Sequence, residues 1–287
     1  MRRRGWLLSL AGGAGLLLGG CAEGMFFYPD QQRYVTPQQL DVVANDIHFS
    51  DGKGPRLHGW WIPAAGTPRA TVVHAHGNAA NVSNHLPLVA WLPAAGLNVL
   101  TFDYRGYGRS EGRPTLDGVV ADLRAAIAEA RRRGGAATPL VLLGQSLGGA
   151  TAIRALAEES AAGAGDIKLL ILDSAFDSYR GMAREATSGS LLALLTPLAL
   201  LTPLAVLGLP PASQDPIAAL PRIATPVLLL HGERDAVISI QNSERLHAAA
   251  TGAKEFIRIP AGEHVDALTR AEVQGRVLSV IDHALKR

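Results

Sequence analysis

Only one cysteine, Cys21, stands among the 287 residues, so no intrachain disulfide can form. Aromatic residues are sparse, at 5%, and charged residues make up 18%. Little charge combined with 48% apolar content excludes a disordered chain. No basic stripe interleaved with aromatics is present, which sets nucleic acid aside as a partner. The net charge of +2 falls to −1 once Arg2, Arg3 and Arg4 are discounted, so the balance is near neutral. Repeats and long linkers are also missing, and the length suits one domain with a sizeable core.

The three arginines open what reads as an export address. An apolar run from Trp6 to Leu18 follows, broken only by Ser9 and by small residues, and ends in Gly19-Gly20-Cys21. A basic start, a short apolar middle and a small-residue end describe a secretory signal over 1–21. The run is too short and too rich in glycine for a comfortable membrane span. Leu18-Gly19-Gly20-Cys21 resembles the lipobox of bacterial lipoproteins, which implies acylation of Cys21 and attachment to a membrane through that lipid anchor. Ala22 is not the aspartate that retains some lipoproteins, so the outer membrane of a bacterial envelope is the expected destination. A plain signal peptide with an incidental cysteine and a retained N-terminal anchor are the alternatives.

Residues 22–42 read as a loose lead-in, and a single domain is expected over 43–287. Apolar strands and amphipathic helices alternate there. Strands are expected at 46–50, 57–62, 71–76, 97–102, 140–144, 169–173, 227–231 and 255–260, the first two as a hairpin. Helices are expected at 86–95, 116–133, 148–159, 241–250 and 268–286. Strands without a polar face, alternating with helices, predict an α/β fold with a mostly parallel central sheet covered on both faces. The stretch from Ala186 to Gln214 carries no charge, and Pro197 and Pro203 argue against one straight membrane helix. It is read as short helices of an apolar cap insertion at about 178–218.

Gly144-Gln145-Ser146-Leu147-Gly148-Gly149 fits the pattern G-x-S-x-G between a strand and a helix. A strand must turn sharply there and leave Ser146 exposed at the corner as a candidate nucleophile, with Gly144 and Gly148 relieving the crowding. The helix that starts at the corner points its free N–H groups at the reaction centre. Upstream, a strand running into His76-Gly77-Asn78 resembles an oxyanion-hole segment. Acyl transfer needs two donors at the developing oxyanion, and the backbone amides of Leu147 and Asn78 are the candidates. His74 and His76 also raise a metal reading, but no third ligand pairs with them by spacing, and no metal is expected.

Asp235 follows the strand at 227–231, and His264 follows the strand at 255–260. The order Ser146, Asp235, His264 is the one this type of site takes, with each residue just past the C-terminal end of a strand. His264 would take the proton of Ser146, and Asp235 would fix the imidazole. Asp173 is the alternative acid, and His231, His247 and His283 are alternative bases.

HGNAAN at 76–81, DYRGYGRSEG at 103–112, GQSLGG at 144–149, HGERD at 231–235 and GEH at 262–264 together resemble the α/β-hydrolase superfamily, most closely its BEM46-like or ABHD13-like serine hydrolases. The resemblance covers almost everything from about residue 45 onward. It implies an α/β-hydrolase fold, an acyl-enzyme mechanism and no cofactor, with 103–112 as a structural turn. An ester, thioester or lipid with an apolar acyl group is the expected substrate. A peptidase or amidase with the same triad and a non-enzymatic anchored binding protein are the alternatives.

Overall fold

In a computed structural model the described residues are 27–161, 165–188 and 209–286. The proposed signal segment with Cys21, and most of the charge-free stretch, lie outside them.

Eight strands form one sheet: β1 Asn45–Phe49, β2 Leu57–Ile62, β3 Ala70–Ala75, β4 Leu97–Phe102, β5 Leu140–Gln145, β6 Ile167–Asp173, β7 Val227–Gly232 and β8 Lys254–Ile259. Their spatial order is β8-β7-β6-β5-β3-β4-β2-β1. β2 is antiparallel to both of its neighbours, and all the other pairings are parallel. This is the α/β-hydrolase fold.

The six inner strands are buried on both faces because they carry apolar side chains at successive positions. Val73, Leu142, Leu170 and Leu172 point into one core, packed with α1 Leu116–Gly134 and α2 Leu147–Ala161. Val72, Val141, Leu169 and Ile171 point into the other, under residues 82–92 and α5 Ala271–Leu285. Alternate residues facing opposite cores is the period of two that defines a strand. Thr115 starts α1 by accepting the Gly118 N–H on its side chain, and the arginines of the last turn suit the helix's negative end. Two further helices, α3 Tyr179–Ser188 and α4 Gln241–Ala249, flank the C-terminal edge.

The helix expected at 86–95 does not form as a regular helix. The segment is a single turn at Val82–His85 and two 3-10 turns, Leu86–Leu88 and Pro93–Ala95. Pro87 and Pro93 each lack an amide and clash with the preceding turn, so neither can sit inside a longer α-helix. The segment from Phe27 on is not loose either. Tyr28 and Pro29 pair in parallel with Ala79 and Ala80, and the Gly108 amide donates to the Asp30 carbonyl at 2.9 Å. No helix among the described residues is long and apolar enough to cross a membrane.

Strand order decides where a site can form. Between β3 and β5 the chain reverses its direction of travel across the sheet, and the loops at the C-terminal ends of these strands diverge to leave a crevice. Ser146 follows β5, Asn78 follows β3, and the loops after β6, β7 and β8 close the same edge.

Candidate active site

Ser146 has φ 52°, in the left-handed region that a residue with a Cβ enters only at a cost. The turn is held because the Ser146 N–H donates to the Asp173 carbonyl at 2.8 Å and the Ser146 carbonyl accepts from Gly149 at 3.0 Å. A Cβ on Gly148 would collide with the backbone of Ala75 and His76, and one on Gly144 with that of Gly148. Only glycine lets the start of α2 approach the end of β3 this closely. The Ser146 residue is 8% exposed, at the corner between strand and helix.

Asp235 lies in the turn after β7. Its Oδ1 accepts the Val237 and Ile238 amides at 2.9 and 2.8 Å, and its Oδ2 accepts from His264 Nδ1 at 2.8 Å. His231 Nε2 is 3.3 Å from the same Oδ2. Burial pushes the Asp235 carboxyl up, but the hydrogen bonds from His231 and His264 outweigh it and hold the group well below the usual carboxylate range. An ionised Asp235 on Nδ1 fixes the tautomer with the proton there, which leaves Nε2 an acceptor. His264 Nε2 has no partner among the described residues, and the side chain is 21% exposed.

The His264 loop is held by two close approaches, one to the turn after β7 and one to Ser174 below the Ser146 turn. Gly232 abuts the Gly262 carbonyl, where a Cβ would collide, and the Arg234 amide donates to Gly262 at 2.8 Å. The Val265 amide donates to Ser174 Oγ at 3.3 Å, and Ser174 directly follows the Asp173 whose carbonyl holds Ser146. Val265, with φ 52°, and Ser174, with φ 51°, are both in the left-handed region. Five of the six non-glycine residues with positive φ among the described residues sit on this edge: Ala80, Ser146, Ser174, Ala261 and Val265. Strained backbone concentrates where surrounding contacts over-determine a functional geometry.

The amides of Asn78 and Leu147 donate no hydrogen bond among the described residues. They lie at the ends of adjacent strands, β3 and β5, one in the loop after β3 and the other at the first position of α2. Two free donors beside a serine, with an imidazole whose acceptor nitrogen is free, can stabilise a tetrahedral oxyanion and shuttle one proton.

The alternatives from the sequence fall elsewhere. His231 is fully buried, with Nδ1 on Ser243 and Nε2 on the Ile238 carbonyl, so it supports Asp235 and has no free nitrogen. His247 and His283 lie on α4 and α5. Asp173 is fully buried beneath the turn and accepts from Gln145 Nε2 at 2.9 Å; burial raises its carboxyl to about 6. His74 bonds Thr101 and Gln145 at 2.9 Å each, and burial pushes it down to about 3, so it is a neutral link across the sheet. Among the described residues no three His, Cys, Asp or Glu side chains converge on a metal position. Ser174, His231 and Gln145 are supports that spacing alone could not reveal, although His231 opens the HGERD motif.

Residues 66–199 match the family model Hydrolase_4, described as serine aminopeptidase, S33. Protein YfhR of Salmonella typhimurium is 42% identical over 265 residues, covering 88% of this chain and 84% of that one. The chain belongs to the Hydrolase_4 family of α/β hydrolases. Protein bem46 of Schizosaccharomyces pombe is a more distant relative, 30% identical over 80% of this chain and 74% of its own. Among solved structures, the Pyrococcus furiosus esterase Pf2001 superposes with a TM-score of 0.70 at 22% identity, covering 91% of this chain and 98% of that one. As a serine hydrolase by family, the chain places its G-x-S-x-G serine at the sheet edge where the Asp235–His264 pair also lies.

Proposed function

We propose that this hydrolase cleaves carboxylic esters, thioesters or lipid-type esters with an apolar acyl group through an acyl-enzyme on Ser146. One observation carries the reading: His264, fixed by Asp235 through Nδ1, keeps Nε2 free on a loop that Ser174 ties to the Ser146 turn. In the first step Ser146 Oγ bonds to the substrate carbonyl carbon and its proton passes to His264 Nε2. The carbonyl oxygen becomes an oxyanion held by the Asn78 and Leu147 amides. The bond from the carbonyl carbon to the alcohol oxygen, or to the sulfur of a thioester, then breaks, and His264 returns the proton to the departing atom. Water, deprotonated by His264, repeats the sequence on the acyl-enzyme and frees the acid.

The ester preference draws support from the leucine-rich, charge-free segment between Ala186 and Gln214, which suits an apolar acyl chain, and from the esterase Pf2001, which shares the fold. The family model's description, a serine aminopeptidase, favours amide cleavage as the second reading. Protein lacking residues 1–21 should be assayed on p-nitrophenyl esters of increasing chain length and on amino-acid p-nitroanilides. Ester turnover with an optimum at a medium or long acyl chain is expected, and Ser146→Ala should lower it about 10⁵-fold or more. Turnover of the anilides alone would assign the amidase instead.

The lipid anchor at Cys21 and a bacterial envelope location belong to the same proposal. Five residues lie between Cys21 and Phe27, a reach of about 20 Å when fully extended. An acylated Cys21 would therefore hold the active-site edge close to the bilayer. Cys21→Ala should move the protein from the membrane fraction to the soluble one; an unchanged distribution would remove the anchor.

A further inference from the structure

The loop that carries the Asn78 amide is tied to its surroundings through four carbonyls and the Asn78 side chain. The His76 carbonyl accepts the Tyr104 hydroxyl at 2.9 Å. The Gly77 carbonyl accepts His76 Nδ1 at 2.7 Å, the Ala79 carbonyl accepts His85 Nε2 at 3.1 Å, and the Ala80 carbonyl accepts the Asp30 amide at 3.3 Å. The Asn78 side chain is tied twice: Oδ1 accepts the Tyr107 hydroxyl at 2.8 Å and the Tyr28 amide at 3.1 Å. A backbone amide can only donate, so this atom is the oxygen of the carboxamide, and both of its lone pairs are used. The Asn78 backbone N–H is among the loop's groups that make no hydrogen bond within the described residues.

The two donors come from distant parts of the chain. Tyr107 is fully buried in the turn after β4, and burial pushes its phenol up, so it stays a neutral donor at any working pH. Tyr28 belongs to the N-terminal strap. Asp30 anchors that strap by taking Asn81 Nδ2 on Oδ1 at 2.7 Å, the Gly108 amide on its carbonyl at 2.9 Å and the Tyr34 hydroxyl on Oδ2. The strap thus contacts both the oxyanion loop and the turn that supplies Tyr107.

We propose that Tyr107 and the strap of residues 27–34 form a clamp on the Asn78 side chain that aims the Asn78 amide at the oxyanion. Tyr107 and the strap are positioning elements; they act through Asn78 and touch no substrate. The proposal rests on the hydrolase reading for its catalytic consequence, but the clamp itself is a property of the fold.

A double-mutant cycle tests it. Tyr107→Phe removes only the hydroxyl, and Asn78→Ala removes the clamped oxygen while keeping the backbone amide. Tyr107→Phe should lower kcat up to about tenfold, the worth of one hydrogen bond, with KM unchanged. In the Asn78→Ala background the same change should add nothing, because its target is gone. An equal loss in both backgrounds would make Tyr107 a packing residue and overturn the proposal. Hydrogen exchange provides the second readout: Tyr107→Phe and Asp30→Ala should both speed exchange over residues 27–34 and 77–81. Unchanged exchange in both would overturn the clamp whatever the turnover. Faster exchange with unchanged kcat would overturn its catalytic role. Parent turnover that survives Ser146→Ala would instead fail the hydrolase reading, and the exchange result would still decide the clamp.

Discussion

Two histidine–carboxylate clusters sit at the same end of the sheet and do different work. In one, His264 holds Asp235 through Nδ1 and keeps Nε2 free, with a fifth of its side chain exposed. In the other, His58 is 1% exposed and has a carboxylate on each ring nitrogen, Asp103 at 2.8 Å and Asp46 at 2.9 Å. Asp103 also accepts the Val82 and Arg109 amides, and Asp46 accepts Trp60 Nε1 and Arg109. Burial alone would raise the Asp46 carboxyl, but the His58 and Arg109 hydrogen bonds bring it down to about 2. Identical residue types leave one nitrogen free in the first cluster, where a base is proposed, and occupy both nitrogens in the second, which acts as a staple. The staple holds the 103–110 turn, which supplies the Tyr107 hydroxyl to the Asn78 side chain, so the second cluster reaches the loop after β3 at one remove.

The largest expected effect breaks the first cluster. His264→Ala should lower kcat on esters by about 10⁵-fold or more with little change in stability, read from steady-state kinetics beside a urea unfolding curve. His58→Ala should do the reverse. It takes the imidazole away from a buried Asp103 and should cost about 3 kcal/mol of unfolding free energy, while turnover per folded molecule falls by no more than the roughly tenfold expected of Tyr107→Phe. If His58→Ala abolished turnover in folded protein, the staple reading would fail and the clusters would share a catalytic role.

The smallest effect concerns Asp173, which belongs to neither cluster. Burial raises its carboxyl from 3.8 to about 6, despite the Gln145 hydrogen bond. Between those pH values the folded protein keeps a proton that the unfolded chain has released. The contribution to stability is therefore present below about pH 4 and is lost as pH rises through 6. Asp173→Asn should flatten the pH dependence of the unfolding midpoint between pH 4 and 7. An unchanged slope would show that Asp173 is ionised throughout that range.

The eight strands were legible because a parallel strand buried on both sides is an uninterrupted apolar run such as Leu140–Leu143 or Val227–Leu230. The helix expected at 86–95 misled because its apolar spacing outweighed Pro87 and Pro93, which decide the backbone. The docking of the strap was invisible, since a two-residue pairing fifty positions away leaves no periodic trace. Within the candidate site, motif and strand order pointed to Ser146, Asp235 and His264, because each sits immediately after a strand. Their supports could not be read the same way. Ser174, His231, Tyr107 and Tyr28 matter through contacts that exist only once β6, β7, the turn after β4 and the strap are brought together.

Catalysis by this hydrolase is proposed to depend on Ser146 as a nucleophile activated by His264. The most direct test treats the protein lacking residues 1–21 with a fluorophosphonate and maps the adduct by peptide mass spectrometry. A single adduct on Ser146, absent in Ser146→Ala and formed far more slowly in His264→Ala, is the predicted result. An adduct on another serine, or none in protein shown to be folded, would contradict it.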